Sequence, residues 1–272
     1  MVTRVPHVLE RIGVVGVLFA AAWASRGEAK TSPPEHVVSG IVEAGAGYAT
    51  LSAGQPSWND QYVRGSIQMT PSGRLSVEVS RQDHFGSRGT FVGAGYARVF
   101  DASWYGALSA GASDGGIFLP RLRLDGSLSR KWLEQKQLVT TLGLSYYRSK
   151  EVYFDVALLA GVTYYFEAPW IVEVGVRLND SNPGHVRSMR AFGALTYGRN
   201  KRHFITLRYE AGREAYQVLA GDDVLSDFSS AEESLIGRQW ITGAIGLSLR
   251  ATHYHNPSYA RWGVELGVFL DF

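Results

Sequence analysis

The sequence contains no cysteine, which excludes disulfides and cysteine-ligated metal centres. It is also short of charge: Asp, Glu, Lys and Arg make up 19% of 272 residues, below the roughly 25% of soluble domains. What charge there is nearly cancels, at +2, so the overall balance points neither to nucleic acid nor to an acidic partner. Beyond residue 24 no uninterrupted apolar run has the length of a transmembrane helix. Apolar residues at helical spacing do not recur there either. If the chain lies in a membrane, helices do not hold it there.

The first residues have a different character. Arg4 and Arg11 precede or flank an apolar run over residues 12–24, and small residues follow at Ala22-x-Ala24 and Gly27-x-Ala29. This is the pattern of a secretory signal peptide over residues 1–29, with cleavage expected after Ala24 or Ala29. Cutting after Ala29 removes three arginines (Arg4, Arg11, Arg26) and two glutamates (Glu10, Glu28), so the mature charge is 2 − (3 − 2) = +1. Residues 30–36, KTSPPEH, form a short polar lead, expected in the periplasm. The remainder, 37–272, reads as one domain without a linker or composition break.

That remainder alternates with period two. WIVEVGVRLND (170–180) sets Val172, Val174, Val176 and Leu178 against Glu173, Gly175, Arg177 and Asn179. RLRLDGSLSRKW (121–132) opposes Leu122, Leu124 and Leu128 to Arg121, Arg123, Asp125, Ser127 and Ser129. HFITLRYEAG (203–212), ITGAIGLSLRATHY (241–254) and the closing WGVELGVFLDF (262–272) repeat the pattern. Such alternation marks half-buried strands.

Short turn signals at 70–73, 100–103, 132–137, 166–169, 198–201 and 236–239 interleave with connections that are often longer. The longest expected connection is 213–230. Fourteen strands result, with boundaries near 37–51, 60–70, 74–83, 90–100, 104–112, 120–132, 138–148, 151–165, 169–179, 185–197, 203–213, 228–236, 240–254 and 260–272. One hairpin missed or added would make the count 12 or 16.

Alternation alone does not say whether the apolar face meets a core or lipid, because a soluble sandwich shows the same period. Three features favour lipid and an all-β, antiparallel, up-and-down transmembrane barrel. Full charges recur on the polar face: Glu43, Arg64, Glu78, Arg98, Arg121, Arg123, Asp125, Glu173, Arg177, Arg208, Glu210, Arg250 and Glu265 are expected toward the lumen. Aromatics gather near strand ends, with Trp104, Trp132, Trp170, Trp240 and Trp262 as expected interface residues, and Tyr48, Trp58, Tyr62, Tyr146, Tyr164, Phe166, Tyr197, Tyr209 and Tyr254 beside them. Finally, Phe272 ends a strand with apolar residues at alternate positions, which resembles the C-terminal signature read by the barrel assembly machinery. A last strand that must pair with the first also explains an apolar chain end.

PRLRLDGSLSRKWLEQKQLVTTLGLSYYRSKEVYFDV (120–156), TYYFEAPWIVEVGVRL (163–178), FITLRYEAGREAY (204–216) and the closing strand together resemble the YaiO family of outer-membrane barrels. The resemblance runs from about residue 89 to 272, with 37–88 following more loosely. It implies an outer-membrane barrel in a Gram-negative cell and no defined activity, since none of these stretches is a catalytic motif.

Candidates for chemistry are few. GAGYA at 45–49 and 93–97 lacks the third glycine and the helix of a nucleotide loop. His253 and His255 share a strand face, but no carboxylate or thiol stands nearby in sequence, and no metal or cofactor is assigned. Asp222, Asp223, Asp227, Glu232 and Glu233 read as a solvated acidic loop. His84 beside Asp83, and His203, lack any nucleophile motif, so no catalytic residue and no enzyme activity is expected.

The mixed-charge inner face is the best functional candidate. It fits a narrow channel, or an accessory for passage of small solutes or polysaccharide. It fits equally a salt-bridged plug in a structural or surface-interaction barrel; a lipid hydrolase fits least. For ~14 strands at ~4.8 Å spacing and ~40° tilt the radius is about 14 Å, small enough for side chains to fill or to leave narrow. Expected partners are outer-membrane lipid, lipopolysaccharide and the assembly machinery, with the chain a monomer.

Overall fold

A computed structural model describes residues 39–150, 152–167, 169–218 and 224–272. The expected signal peptide and lead, and Asp222 and Asp223, lie outside the described residues.

Fourteen strands are present: β1 (Gly40–Leu51), β2 (Trp58–Thr70), β3 (Gly73–His84), β4 (Ser87–Val99), β5 (Trp104–Gly115), β6 (Leu122–Trp132), β7 (Leu138–Arg148), β8 (Phe154–Tyr165), β9 (Trp170–Asn182), β10 (Val186–Arg199), β11 (His203–Val218), β12 (Val224–Trp240), β13 (Ile245–His255) and β14 (Ala260–Asp271). Each pairs antiparallel with its sequence neighbour, and β1 pairs with β14, closing the barrel. Gly40 N donates to Phe272 O at 2.6 Å and Phe272 N to Gly40 O at 2.9 Å. The last residue is therefore stitched to the first strand. Closure leaves no edge of unpaired backbone groups, the condition for a sheet to stand in lipid.

Both chain ends of the barrel lie at one rim, here the terminal rim. Its described connections are 71–72, 100–103, 133–137, 166–167 with 169, 200–202 and 241–244; the distal rim carries 52–57, 85–86, 116–121, 149–150 with 152–153, 183–185 and 256–259. Two expectations are corrected. Residues 236–239 are not a turn but part of β12, and the reversal falls at 241–244. Most of 213–230 is not a loop but a hairpin, as β11 runs to Val218 and β12 resumes at Val224.

Strand parity puts one residue set outward and the other inward. The outward set is apolar and uncovered: Val92, Leu108, Leu142, Leu207 and Leu266 are 53–72% exposed. A belt of this kind belongs against hydrocarbon, since soluble surfaces rarely expose contiguous apolar patches beyond a few hundred Å². Each such Leu or Val contributes about 1.5–3 kcal/mol once removed from water.

Aromatics frame the belt. Trp104, Trp132, Trp170 and Tyr197 lie at the terminal-rim ends of their strands, with the Trp170 and Tyr197 rings 4.8 Å apart. Tyr48, Tyr146, Phe154 and Trp262 lie toward the distal ends.

Inside, bare glycines take the rings of neighbouring strands. At Gly246 on β13 a Cβ would stand 2.1 Å from Cζ of Phe269 on β14; at Gly175 on β9 it would meet Phe192 of β10 at 2.4 Å. Any side chain at these positions would evict a ring from the inner wall.

Candidate functional site

The inner wall is divided in two. From β9 through β14 and on to β2 it is crowded with charge, and from β4 to β8 it is mostly bare.

The crowded side is organised around buried carboxylates. Glu43 (4% exposed) accepts from Arg64 Nη2 at 2.6 Å, Tyr62 Oη at 3.0 Å, Ser248 Oγ at 2.8 Å and Arg238 Nη2 at 2.8 Å. Those donors come from β2, β12 and β13, so one carboxylate ties strands on both sides of the β1–β14 seam. Arg64 Nη2 also stands 3.9 Å from Glu265 Oε1. Glu232 accepts from Arg261 at 2.9 Å and Ser234 at 3.1 Å and pairs with Arg250 at 3.5 Å. Glu210 joins Arg208 (2.9 Å) and Arg190 (3.1 Å), while Glu214 joins Arg190, Ser230 and Tyr254. Charge-assisted bonds of this kind are the strong members of any hydrogen-bond inventory.

The bare side presents Gly93, Gly95 and Ala97 of β4, Ala107, Ser109 and Gly111 of β5, Ser127 and Ser129 of β6, Thr141, Gly143 and Ser145 of β7, and Gly161 and Thr163 of β8, with Phe91, Tyr105, Leu159 and Tyr165 as its larger apolar and aromatic members. Beside it runs a cavity of about 500 Å³. Six arginines (64, 74, 123, 177, 250, 261) and six carboxylates (Asp60, Glu78, Asp125, Glu173, Glu232, Glu265) also line it. Equal numbers of opposite sign give no basis for strong cation or anion preference. Among the residues lining it, Arg177 Nη1 and Asp125 Oδ1 are buried atoms with no hydrogen-bond partner among the described residues. The other Asp125 oxygen accepts from Arg123 Nε at 2.7 Å.

The distal rim is roofed. The 116–121 connection folds inward, burying Phe118 (2% exposed) and Leu119. His84 is sandwiched between Trp58 (centroids 4.1 Å) and Phe118 (4.4 Å), and its Nε2 is 2.8 Å from Asp60 Oδ1. Phe85 and Tyr259 pack beside them. Tyr147 Oη and Lys150 Nζ donate to the carbonyls of Phe118 and Gly116 at 3.1 and 3.2 Å, pinning the roof segment.

Glu43, Arg64, Glu78, Arg123, Asp125, Glu173, Arg177, Arg208, Glu210, Arg250 and Glu265 have inward parity. Arg121 precedes β6 and is exposed at the distal rim. Arg98 is corrected: it pairs with Gly73 and Gly106 and shares the exposed outer face of Val92 and Tyr96.

Among the interface candidates Trp104, Trp132, Trp170 and Trp262 face outward, but Trp240 does not. Because β12 continues through residue 240, Trp240 shares the inward parity of Ile236 and Arg238. It is 8% exposed and donates to Asp271 at 3.0 Å. Trp58, Tyr62 and Tyr254 are likewise interior.

Sequence reasoning missed the inward residues Arg74, Arg190, Glu214, Arg238 and Arg261, although each stands in register with an inward-facing partner. Glu232 and Glu233, expected in an acidic loop, are in β12 and point to opposite sides. His84 pairs with Asp60 rather than Asp83, whose carboxylate instead accepts from Arg88 on β4 at 2.8 Å.

A closed antiparallel barrel with a lipid-facing apolar belt, aromatic flanks and a polar lumen defines a transmembrane β-barrel of the outer-membrane type. Residues 40–217 match the YaiO membrane beta barrel domain, and the chain belongs to that family. The match takes in the first strands, which resembled the family more loosely, and stops at the β11–β12 hairpin.

Among solved structures the chain is similar to the CymD monoaromatic hydrocarbon channel (TM-score 0.57, 7% identity, 86% of this chain and 88% of that one). It is also similar to the outer membrane protein Omp33 of Acinetobacter baumannii (TM-score 0.52, 9% identity, 86% and 99%). At such identities the likeness is one of fold. No curated protein sequence matches.

Proposed function

We propose that the protein is an outer-membrane barrel that passes small polar solutes along the bare arc of its lumen and is closed at rest by its distal roof. The supporting observation is the uneven inner wall. A barrel that served only as a filled post would gain from bulk all along β4–β8, yet between the few large residues of that arc (Phe91, Tyr105, Arg123, Leu159 and Tyr165) the wall is glycine, alanine, serine and threonine beside a 500 Å³ cavity. The size suits a small molecule rather than a polymer chain. Arg177 and Asp125, each with a polar atom not used by the protein, supply a donor and an acceptor midway along the path.

The Gram-negative outer membrane is the setting, the terminal rim faces the periplasm, and Phe272 serves as the assembly mark. The chain acts as a monomer, with lipid and lipopolysaccharide around it and no catalytic role.

A second reading, a sealed structural barrel, is favoured by the same roof: Trp58, His84 and Phe118 form a continuous stack across the distal mouth. Planar-bilayer recording separates the two. The expected result is small, infrequent conductance steps for the native chain and a severalfold higher open fraction for Phe118→Ala. Bilayers that stay sealed with folded protein of both kinds would overturn the channel reading in favour of the structural one.

A further inference from the structure

On the outer face near the distal rim, three metal-capable side chains converge from two strands. His253 and His255 alternate on β13, so both project outward, and the register sets Glu233 of β12 directly opposite His253. The donor atoms of Glu233, His253 and His255 all lie within 4.8 Å of one another. His253 Nδ1 is 2.9 Å from Glu233 Oε2. The two imidazoles are near-parallel, with centroids 5.6 Å apart, and Trp262 of β14 stacks on the His253 ring at 3.8 Å.

We propose that Glu233, His253 and His255 form a binding site for a divalent transition metal, zinc by preference. Two imidazoles and a carboxylate select zinc, nickel or copper over magnesium and calcium, which take oxygen ligands. A tetrahedral zinc with bonds of 2.0–2.2 Å needs ligand atoms about 3.3–3.5 Å apart. The His253–Glu233 pair already approaches this spacing, with the metal replacing the proton they share. His255 completes the set by a side-chain rotation at the strand end, with no backbone movement. Trp262 holds the first ring in place as an outer support does in metal sites generally. Three protein ligands leave a fourth position, which water fills.

The arrangement is not a by-product of core packing. Glu233 and His255 are exposed and His253 partly so, and none fills the lumen or the roof. The ligands can therefore be removed without emptying the barrel.

The test uses the folded, full-length barrel in detergent, carrying no polyhistidine tag. Calorimetric titration with zinc chloride is expected to show one equivalent bound. The affinity should fall at least tenfold for His255→Ala and for Glu233→Gln, and binding should vanish in the His253→Ala/His255→Ala double variant. Magnesium chloride should bind to none of them. Cobalt(II) gives a second readout, since bound tetrahedral cobalt acquires intense visible absorption that the double variant should lack. Heat-modifiable gel migration confirms folding, and if the double variant fails it, Glu233→Gln and His255→Ala decide the matter singly. Native protein that binds zinc no better than these variants, or cobalt spectra that stay octahedral, would overturn the proposal.

Discussion

Replacing Glu43 by glutamine tests whether the crowded side of the lumen is held by its carboxylates. The native carboxylate is 4% exposed and receives four donors, two of them guanidinium groups at 2.6 and 2.8 Å. Counting charge-assisted bonds at ~1.5–3 kcal/mol each would give too large a loss, because the freed groups are not wholly dry. Side-chain exposures of 26% for Arg64 and 17% for Arg238 let lumen water rehydrate part of each cation. Breaking one partner out of a buried ion pair costs about 3–5 kcal/mol, and the amide retains an acceptor oxygen. The expectation is therefore about 3 kcal/mol, at the low end of that range. Equilibrium urea unfolding in lipid vesicles, followed by tryptophan fluorescence, measures it.

Adding Arg238→Met removes one stranded cation. The pair should then be less damaged than the sum of its parts by more than ~1 kcal/mol, as expected for contacting residues. A Glu43→Gln cost under ~1 kcal/mol, or strict additivity, would refute the idea that this knot carries the wall.

Two further outcomes concern the lipid face and assembly. Val174→Arg puts a cation on an outward position 52% exposed on β9; it should destabilise the barrel by about 2–4 kcal/mol at mid-bilayer depth, read by the same unfolding assay, and a neutral effect would mean that this position is not in hydrocarbon. Phe272→Ser keeps the backbone pairing to Gly40 while removing the terminal ring, so it should lower the yield of barrel in the outer membrane of cells with little change in stability once folded. Undiminished yield would show that the ring is not the mark.

Strand existence and parity were legible because each strand carries its own alternation. WIVEVGVRLND shows its lipid face without reference to any neighbour. What depended on partners was less visible. The β12–β13 reversal at 241–244 has little turn chemistry beyond Gly243, whereas Gly237 and Gln239, which look like turn residues, are paired in the ladder. That error hid the inward direction of Trp240. The β11–β12 hairpin was obscured in the same way, since its polar and acidic residues suit a loop as well as two strands rising past the rim. Arg98 failed because alternating Gly and Ala in β4 gives weak contrast between faces. The grouping of Glu233 with His253 is a fact of register: the two stand 20 residues apart, and no local pattern reports which strand lies opposite. The roof escaped notice because nothing in the connection that contains IFLP reports whether it folds over the mouth or stands out from it.

The division of the lumen into a tied side and a bare side bears on how the barrel can change shape. Fourteen strands bonded in a closed ring fix the perimeter, so the cross-section can vary only between rounder and flatter outlines. On the tied side, ion pairs resist any change in curvature. The bare arc has fewer side chains to resist it, its one ion pair among the described residues joining Arg123 and Asp125 of a single strand, so it bends first, and its glycines make the bending inexpensive. The largest object that can pass is then set by how round that arc can become rather than by the diameter seen at rest.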